Sequence, residues 1–69
     1  MTTTTKTPGQ VVTALEFAEV DSRLAVDCRD VLRRERESLT LALRSGDGRE
    51  IKAAKAEAER VAVMWQVEL

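Results

Sequence analysis

Apolar residues recur at helical spacing along the first two thirds of the chain. No glycine or proline interrupts residues 10–45, and apolar positions three and four apart share one face of a helix. The shared face consists of Ala14, Phe17, Ala18, Val20, Leu24, Ala25, Cys28, Val31, Leu32, Leu39, Ala42 and Leu43. Thr7 is a suitable N-terminal cap, and Pro8 follows it at the first helical position. The pattern predicts one long helix over about 8–45.

Two acids, Asp21 and Glu35, interrupt this apolar face. Asp21 and Ser22 are both cap-type residues, so a break of the helix at this point is the alternative to a continuous helix. No glutamate or glutamine follows at the capping-box offset, which favours the continuous helix. Glu35 is expected to reach the rim of the packed face or an arginine, because a buried carboxylate needs a partner.

The stretch Arg44–Glu50 reads as a tight turn between two helices. Gly46 is placed to end the first helix in the left-handed conformation, which glycine adopts without a Cβ clash. Asp47 is placed to cap the second helix, and Glu50 lies three residues on, where it completes a capping box. Because the stop and the start are adjacent, the sequence predicts an antiparallel helical hairpin with its turn at 45–48.

The second helix is predicted over about 48–68. It begins rich in alanine, and residues 61–69 are apolar on nearly every side, a pattern typical of a buried helix. Folding about the turn places Cys28 opposite Trp65, so that Trp65 closes the far end of the seam. The fold class is therefore all-α.

The predicted domain spans residues 7–69, and the polar residues 1–6 are expected to form a disordered tail. In a hairpin, the long first helix outruns the second, so residues 8–23 have no packing partner in the monomer. Oligomerisation or a partner is then expected to cover the exposed apolar surface. The candidate partner-binding residues are Val12, Leu15, Val26, Val63, Met64, Trp65 and Val67. The alternative is that the first helix folds back into a three-helix core, or that such residues are scattered.

The composition limits the kinds of disulfide, metal and catalytic site that the chain can form. The chain has 69 residues, one cysteine and no histidine, which excludes an internal disulfide and argues against a structural zinc site. Cys28 lies mid-face and is expected to be a small buried hydrophobe. No nucleophile–base pair or paired-acid site is visible. We therefore predict no enzymatic activity, no catalytic residue, no metal site and no cofactor.

The opening residues and the hydropathy of the chain indicate its cellular location. The opening Met-Thr-Thr-Thr-Thr-Lys lacks the apolar segment of a signal peptide. No apolar run approaches the length that spans a bilayer. A cytoplasmic protein without a membrane partner is expected.

The turn Ser45-Gly46-Asp47-Gly48 and its flanking helices, over residues 24–69, resemble the small E component of type III secretion needle chaperones. Members of that family are cytoplasmic helical hairpins of similar length, with a glycine-containing turn and an apolar second helix. The resemblance implies a protein that holds a larger helical-repeat chaperone. Together the two keep the needle subunit from polymerising in the cytoplasm.

The predicted function is a non-enzymatic helical protein–protein interaction module or small co-chaperone, with a type III secretion needle subunit as the candidate client. Its partner is expected to be another protein, either a helical chaperone or a secreted subunit, or a second copy of the chain. The alternative is a homodimeric four-helix-bundle regulatory protein that binds nucleic acid, with residues 8–23 paired across a two-fold axis. The net charge of -1 and the mixed charges of residues 29–37 make nucleic acid the less favoured partner.

Overall fold

The computed structural model describes residues 6–69, and within that range it contains three helices and no strand. These helices are α1 (Pro8–Glu19), α2 (Val26–Ser45) and α3 (Gly48–Met64). The predicted all-α fold is confirmed. The prediction of one continuous helix over 8–45 is wrong, because the chain leaves the helical conformation between α1 and α2. The predicted disordered tail falls on residues 1–5, outside the described range, and on Lys6.

The start of α1 is capped in both directions. Thr7 Oγ1 accepts a hydrogen bond from the Gln10 backbone N–H at 3.2 Å, and Gln10 Oε1 accepts one from the Thr7 backbone N–H at 2.9 Å. This reciprocal pair satisfies two backbone donors that the helix leaves free. Pro8 occupies the first helical position, as predicted, where its missing N–H costs nothing.

The break between α1 and α2 is built on Asp21. Its carboxylate accepts hydrogen bonds from the Arg23 backbone N–H at 3.0 Å and from the Arg23 guanidinium at 2.9 and 3.0 Å. A side chain that binds the backbone two residues on stabilises a turn in competition with another helical turn. These hydrogen bonds from Arg23 lower the pKa of Asp21 to about 2. The break therefore falls where the cap-type residues Asp21 and Ser22 stand.

The connection between α2 and α3 is two residues long. Gly46 ends α2 with a φ of 73°, which confirms the predicted left-handed conformation. Asp47 caps α3, because its Oδ1 accepts from the Arg49 and Glu50 backbone N–H groups at 2.9 and 3.4 Å. The predicted capping box is not formed. Instead, the Glu50 carboxylate accepts from the Ser45 hydroxyl at 2.9 Å, and Ser45 Oγ accepts from the Asp47 backbone N–H at 3.2 Å.

The core lies where all three helices meet. Its buried apolar residues are Val11, Leu15, Cys28, Leu32, Leu39, Ala42, Ala58, Val61 and Ala62. An ion pair between Arg36 of α2 and Glu19 of α1 is half-buried and ties these helices together. The expectation that residues 8–23 overhang without a packing partner is wrong, because Val11 and Leu15 on α1 are completely buried.

The prediction that the second helix continues to about residue 68 is wrong, because α3 ends at Met64 and Gln66 takes a left-handed φ of 58°. The Val67 N–H donates to the Ala62 carbonyl at 2.8 Å, and the Gln66 N–H donates to the Val63 carbonyl at 3.0 Å. This pair of bonds is the Schellman motif that closes many helices. The motif reverses the chain, so that Val67 and Leu69 pack against the core.

Candidate interaction surface

The C-terminal end of α3 exposes three consecutive large apolar side chains. Val63 is 75% exposed, Met64 66% and Trp65 40%. The inner face of α3 is taken by Ala58, Val61 and Ala62, which are buried. Because successive helical residues are rotated by about 100°, the two residues that follow Ala62 point away from the core. Val63 and Met64 are exposed as predicted, and Trp65 is half-exposed at the edge.

Four other residues predicted to bind a partner have different surroundings. Leu15 is completely buried, so its assignment to a partner surface is wrong: α1 folds back onto α2 and covers it. Val12 and Val67 are partly buried and pack against the core. Val26 is exposed, but it lies at the start of α2. The predicted residues therefore do not form one continuous surface.

Phe17 shows what the helical wheel of a single long helix missed. It was placed on the shared apolar face, yet it is 73% exposed. Val11 and Leu15, four residues apart, set the buried side of α1, and Phe17 lies about 200° round the helix from Leu15. With Val67 it lines a shallow groove of about 440 Å³. Reading α1 as a separate short helix would have oriented Phe17 outward.

A second groove, which we call the α2–α3 groove, runs between those two helices near the hairpin turn. Its volume is about 460 Å³. It is lined by Ser38, Leu41, Ala42, Glu50, Ala53 and Ala54. Leu41 on its rim is an exposed large side chain, whereas the alanines keep the groove shallow and wide. Small side chains of this kind allow another backbone to approach closely.

Further along the same two helices, an acidic pair faces the seam. Glu35 on α2 is half-buried, and burial, followed by the nearby Glu57 carboxylate, raises the pKa of Glu35. Arg60 opposes that rise, but its guanidinium is bound to Glu57, at 3.1 Å through Nε. Glu35 has no ion pair or side-chain hydrogen bond among residues 6–69. It is near an arginine, as predicted, but that arginine already has a partner.

The described part of the chain carries little reactive chemistry. Cys28 is buried, as predicted, and lies within the core cluster. Over residues 6–69, the structure brings together no group of three or more cysteine, aspartate or glutamate side chains that could hold a metal ion. None of the three helices described has both the length and the apolarity to span a bilayer.

Residues 6–69 form a three-helix fold with exposed apolar side chains along the α2–α3 hairpin. Comparison of the chain with protein-family models, curated proteins and solved structures finds no match. We therefore infer the function from the geometry of the surface. One premise of the nucleic-acid alternative is removed, because the segment that was to pair across a two-fold axis is already packed on α2 through Val11 and Leu15.

Proposed function

We propose that this chain is a non-enzymatic, cytoplasmic protein–protein interaction module that binds its partner through the C-terminal end of α3. The observation that carries the proposal is the exposure of Val63 and Met64 directly beside the half-exposed Trp65. Contiguous exposed apolar side chains on a small protein mark an interaction site more often than they serve the fold. Tryptophan is also enriched among the residues that contribute most to binding.

The local structure supports a surface that is ready to bind. The Schellman motif at Gln66 fixes the end of α3 and directs Val67 into the core. The side chains of Val63 and Met64 are therefore held on a helix, and their backbone loses little freedom on binding. Pre-organisation of this kind improves affinity because less ordering entropy opposes association.

A co-chaperone of a type III secretion needle subunit is our candidate for the specific role. The resemblance supports it through the Gly46 turn and the apolar residues of α3. In this role, the exposed end of α3 would contact either the helical-repeat chaperone or the needle subunit. The packed helix α1 adds to the simple hairpin of that family and stabilises the two helices that carry the surface.

The test compares the wild-type chain with a Val63→Ser/Met64→Ser variant in affinity capture from the source cell, followed by mass spectrometry. We expect the amount of specifically captured protein to be at least tenfold lower with the variant, since burying a polar group in an apolar interface costs a few kcal/mol. A Val20→Ser/Val26→Ser variant is the matched control, because those two valines are also exposed. Equal capture by wild type and the α3 variant would contradict the proposed surface. Capture that lacks both a needle subunit and a helical-repeat chaperone would contradict the specific role.

A further inference from the structure

The α2–α3 groove, the acidic pair and Met64 lie along one line of the molecule. On α3, Glu57 is seven residues after Glu50, which lines the groove, and seven residues before Met64. Seven residues make about two helical turns, so these three side chains share one face. On α2, Glu35 is likewise seven residues before Ala42. The open side of the hairpin thus presents the α2–α3 groove, whose lining is apolar except for Ser38 and Glu50, then an acidic zone, and then a second apolar zone at Met64.

The acidic zone lacks a full complement of positive charge. Glu35 and Glu57 contribute two carboxylates, and among residues 6–69 Arg60 is the guanidinium that the structure places against both. Arg60 is held by Glu57 at one end and lies 3.2 Å from Met64 Sδ at the other. A cationic side chain brought in by a partner would face Glu35 and Glu57, and Glu50 adds a third carboxylate to the same side. Arg34, which is exposed and lies seven residues before Leu41, is the second guanidinium on that side, so the carboxylates still outnumber the guanidinium groups. Opposite charge at such a position favours one partner over others.

We propose that the open side of the α2–α3 hairpin binds an amphipathic helix of another protein, in which a lysine or arginine lies between two apolar residues, about two turns from each. One apolar residue packs on Leu41 and the alanines of the groove. The cation faces Glu35 and Glu57, and the second apolar residue packs on Met64. This inference rests on the proposed function, since Met64 belongs to both surfaces. It adds the chemistry of the partner.

The outer face of α2 argues against a second copy of this chain as the occupant. That face carries Val26 and Leu41 with Arg33 and Arg34 between them, which resembles the required pattern. Asp30 and Glu37 lie on the same face, however, and both are exposed or half-exposed. Two such acids would meet the acidic zone of the first copy. Like charges placed opposite each other disfavour that pairing.

Three synthetic helical peptides test the proposal. They share leucines on one face and differ only in the central residue, which is lysine, glutamine or glutamate. Isothermal titration calorimetry with the full chain measures each Kd. We expect the lysine peptide to bind about tenfold more tightly than the glutamate peptide, because attraction in one is replaced by repulsion in the other. The glutamine peptide should fall between them.

Variants of the full chain assign the preference to the acidic zone. Glu35→Gln/Glu57→Gln should abolish the preference for lysine while leaving the affinity for the glutamine peptide within about twofold. Glu16→Gln/Glu68→Gln is the matched control, since it makes the same change in net charge at exposed positions that line neither the groove nor the surface beside Leu41, and it should keep the preference. Leu41→Ser should weaken the binding of all three peptides. Circular dichroism shows whether each variant is folded.

Several outcomes would overturn the inference. Equal affinities for the three peptides would do so, as would a preference that survives in Glu35→Gln/Glu57→Gln or disappears in the control. A wild-type chain that is dimeric by sedimentation equilibrium, with a monomeric Leu41→Ser variant, would assign the groove to a second copy. If the peptides fail to discriminate but Val63→Ser/Met64→Ser loses its captured partner, the proposed function stands and only the partner chemistry is wrong. If that capture is unaffected, the proposed function itself fails.

Discussion

The two sides of the α2–α3 hairpin are covered to very different extents. On one side, α1 inserts Val11 and Leu15 against Leu32 and Leu39, and all four side chains are completely buried. The other side has no helix on it within residues 6–69, and it leaves Leu41 and Met64 exposed. A short α1 of 12 residues can cover only one side of a helix pair. The difference shows that α1 makes one side of the hairpin part of the core and leaves the apolar side chains of the other side exposed.

The largest expected difference compares one leucine from each side. Leu15→Ala should lower the free energy of unfolding by about 2–5 kcal/mol, because it leaves a cavity in the core. Leu41→Ala should change it by no more than about 0.5 kcal/mol, since Leu41 is 64% exposed. Urea denaturation followed by circular dichroism measures both. Similar losses in the two variants would mean that the open side also contributes to the core.

The hairpin turn holds both sides in place. Substitutions at its two glycines distinguish the effect of backbone strain from that of side-chain crowding. Gly46→Val should destabilise the chain by about 1–2 kcal/mol, because a β-branched residue is strained at the left-handed φ of 73°. Gly48→Ala is the control, since Gly48 begins α3 without a positive φ and has free space for a Cβ. It should be stabilising by about 0.4–1 kcal/mol. Equal destabilisation by both would mean that crowding rather than backbone strain limits the turn.

At the end of α3, the left-handed residue Gln66 separates the buried and the exposed side. It directs Val67 toward the core, whereas Met64 before it stays exposed. Gln66→Gly should stabilise the chain by up to about 1 kcal/mol. Relief of the left-handed strain, about 1–2 kcal/mol, exceeds the added entropy of glycine, about 0.5–1 kcal/mol. Glu68→Gly, where φ is not positive, should be neutral or slightly destabilising. A loss of stability in Gln66→Gly would contradict the Schellman end. Thermal melts of both variants make the comparison.

The acidic zone of the open side predicts a pH dependence. Burial raises the pKa of Glu35 above its ordinary value of 4.5, so the folded chain holds this proton more tightly than the unfolded chain. Stability therefore falls as pH rises from 4.5 through the folded-state pKa. Glu35→Gln removes this dependence and should be the more stable chain at pH 7, with the difference fading below pH 4.5. The urea midpoints of both chains, measured from below pH 4.5 to pH 7, test this prediction. A wild type that becomes more stable relative to Glu35→Gln as the pH rises would contradict it.

Local chemistry explains which turn could be predicted from the sequence. Gly46 and Asp47 predict the second turn, because Gly46 adopts a positive φ and Asp47 caps the next helix. The first turn contains no glycine, and Ala25 at the N-cap of α2 provides no side-chain cap. Its geometry depends on the carboxylate of Asp21 and on the packing of α1, which a helical pattern does not reveal. The helical periodicity simply continues through the break.

The candidate surface was predictable only where it depends on α3 alone. Val63 and Met64 are exposed because of their positions relative to Ala62 on one helix, so the wheel was sufficient. Leu15 was assigned wrongly because its burial depends on α1 folding back, a tertiary arrangement. The meeting of Glu35 with Glu57 likewise depends on two helices, because it is set by the register of α2 against α3. On this surface, Val63 and Met64 depend on one helix and were predicted, whereas Leu15 depends on two helices and was not.

The most direct test of the open side measures the free energy of unfolding of Val63→Ser/Met64→Ser. We expect a value within about 0.5 kcal/mol of the wild type, because both side chains are exposed at the end of α3. Urea denaturation of the wild type, this variant and Leu15→Ala under identical conditions provides the scale. If the double variant is destabilised as much as Leu15→Ala, these residues belong to the core, and the claim that one side of the hairpin is reserved for a partner is wrong.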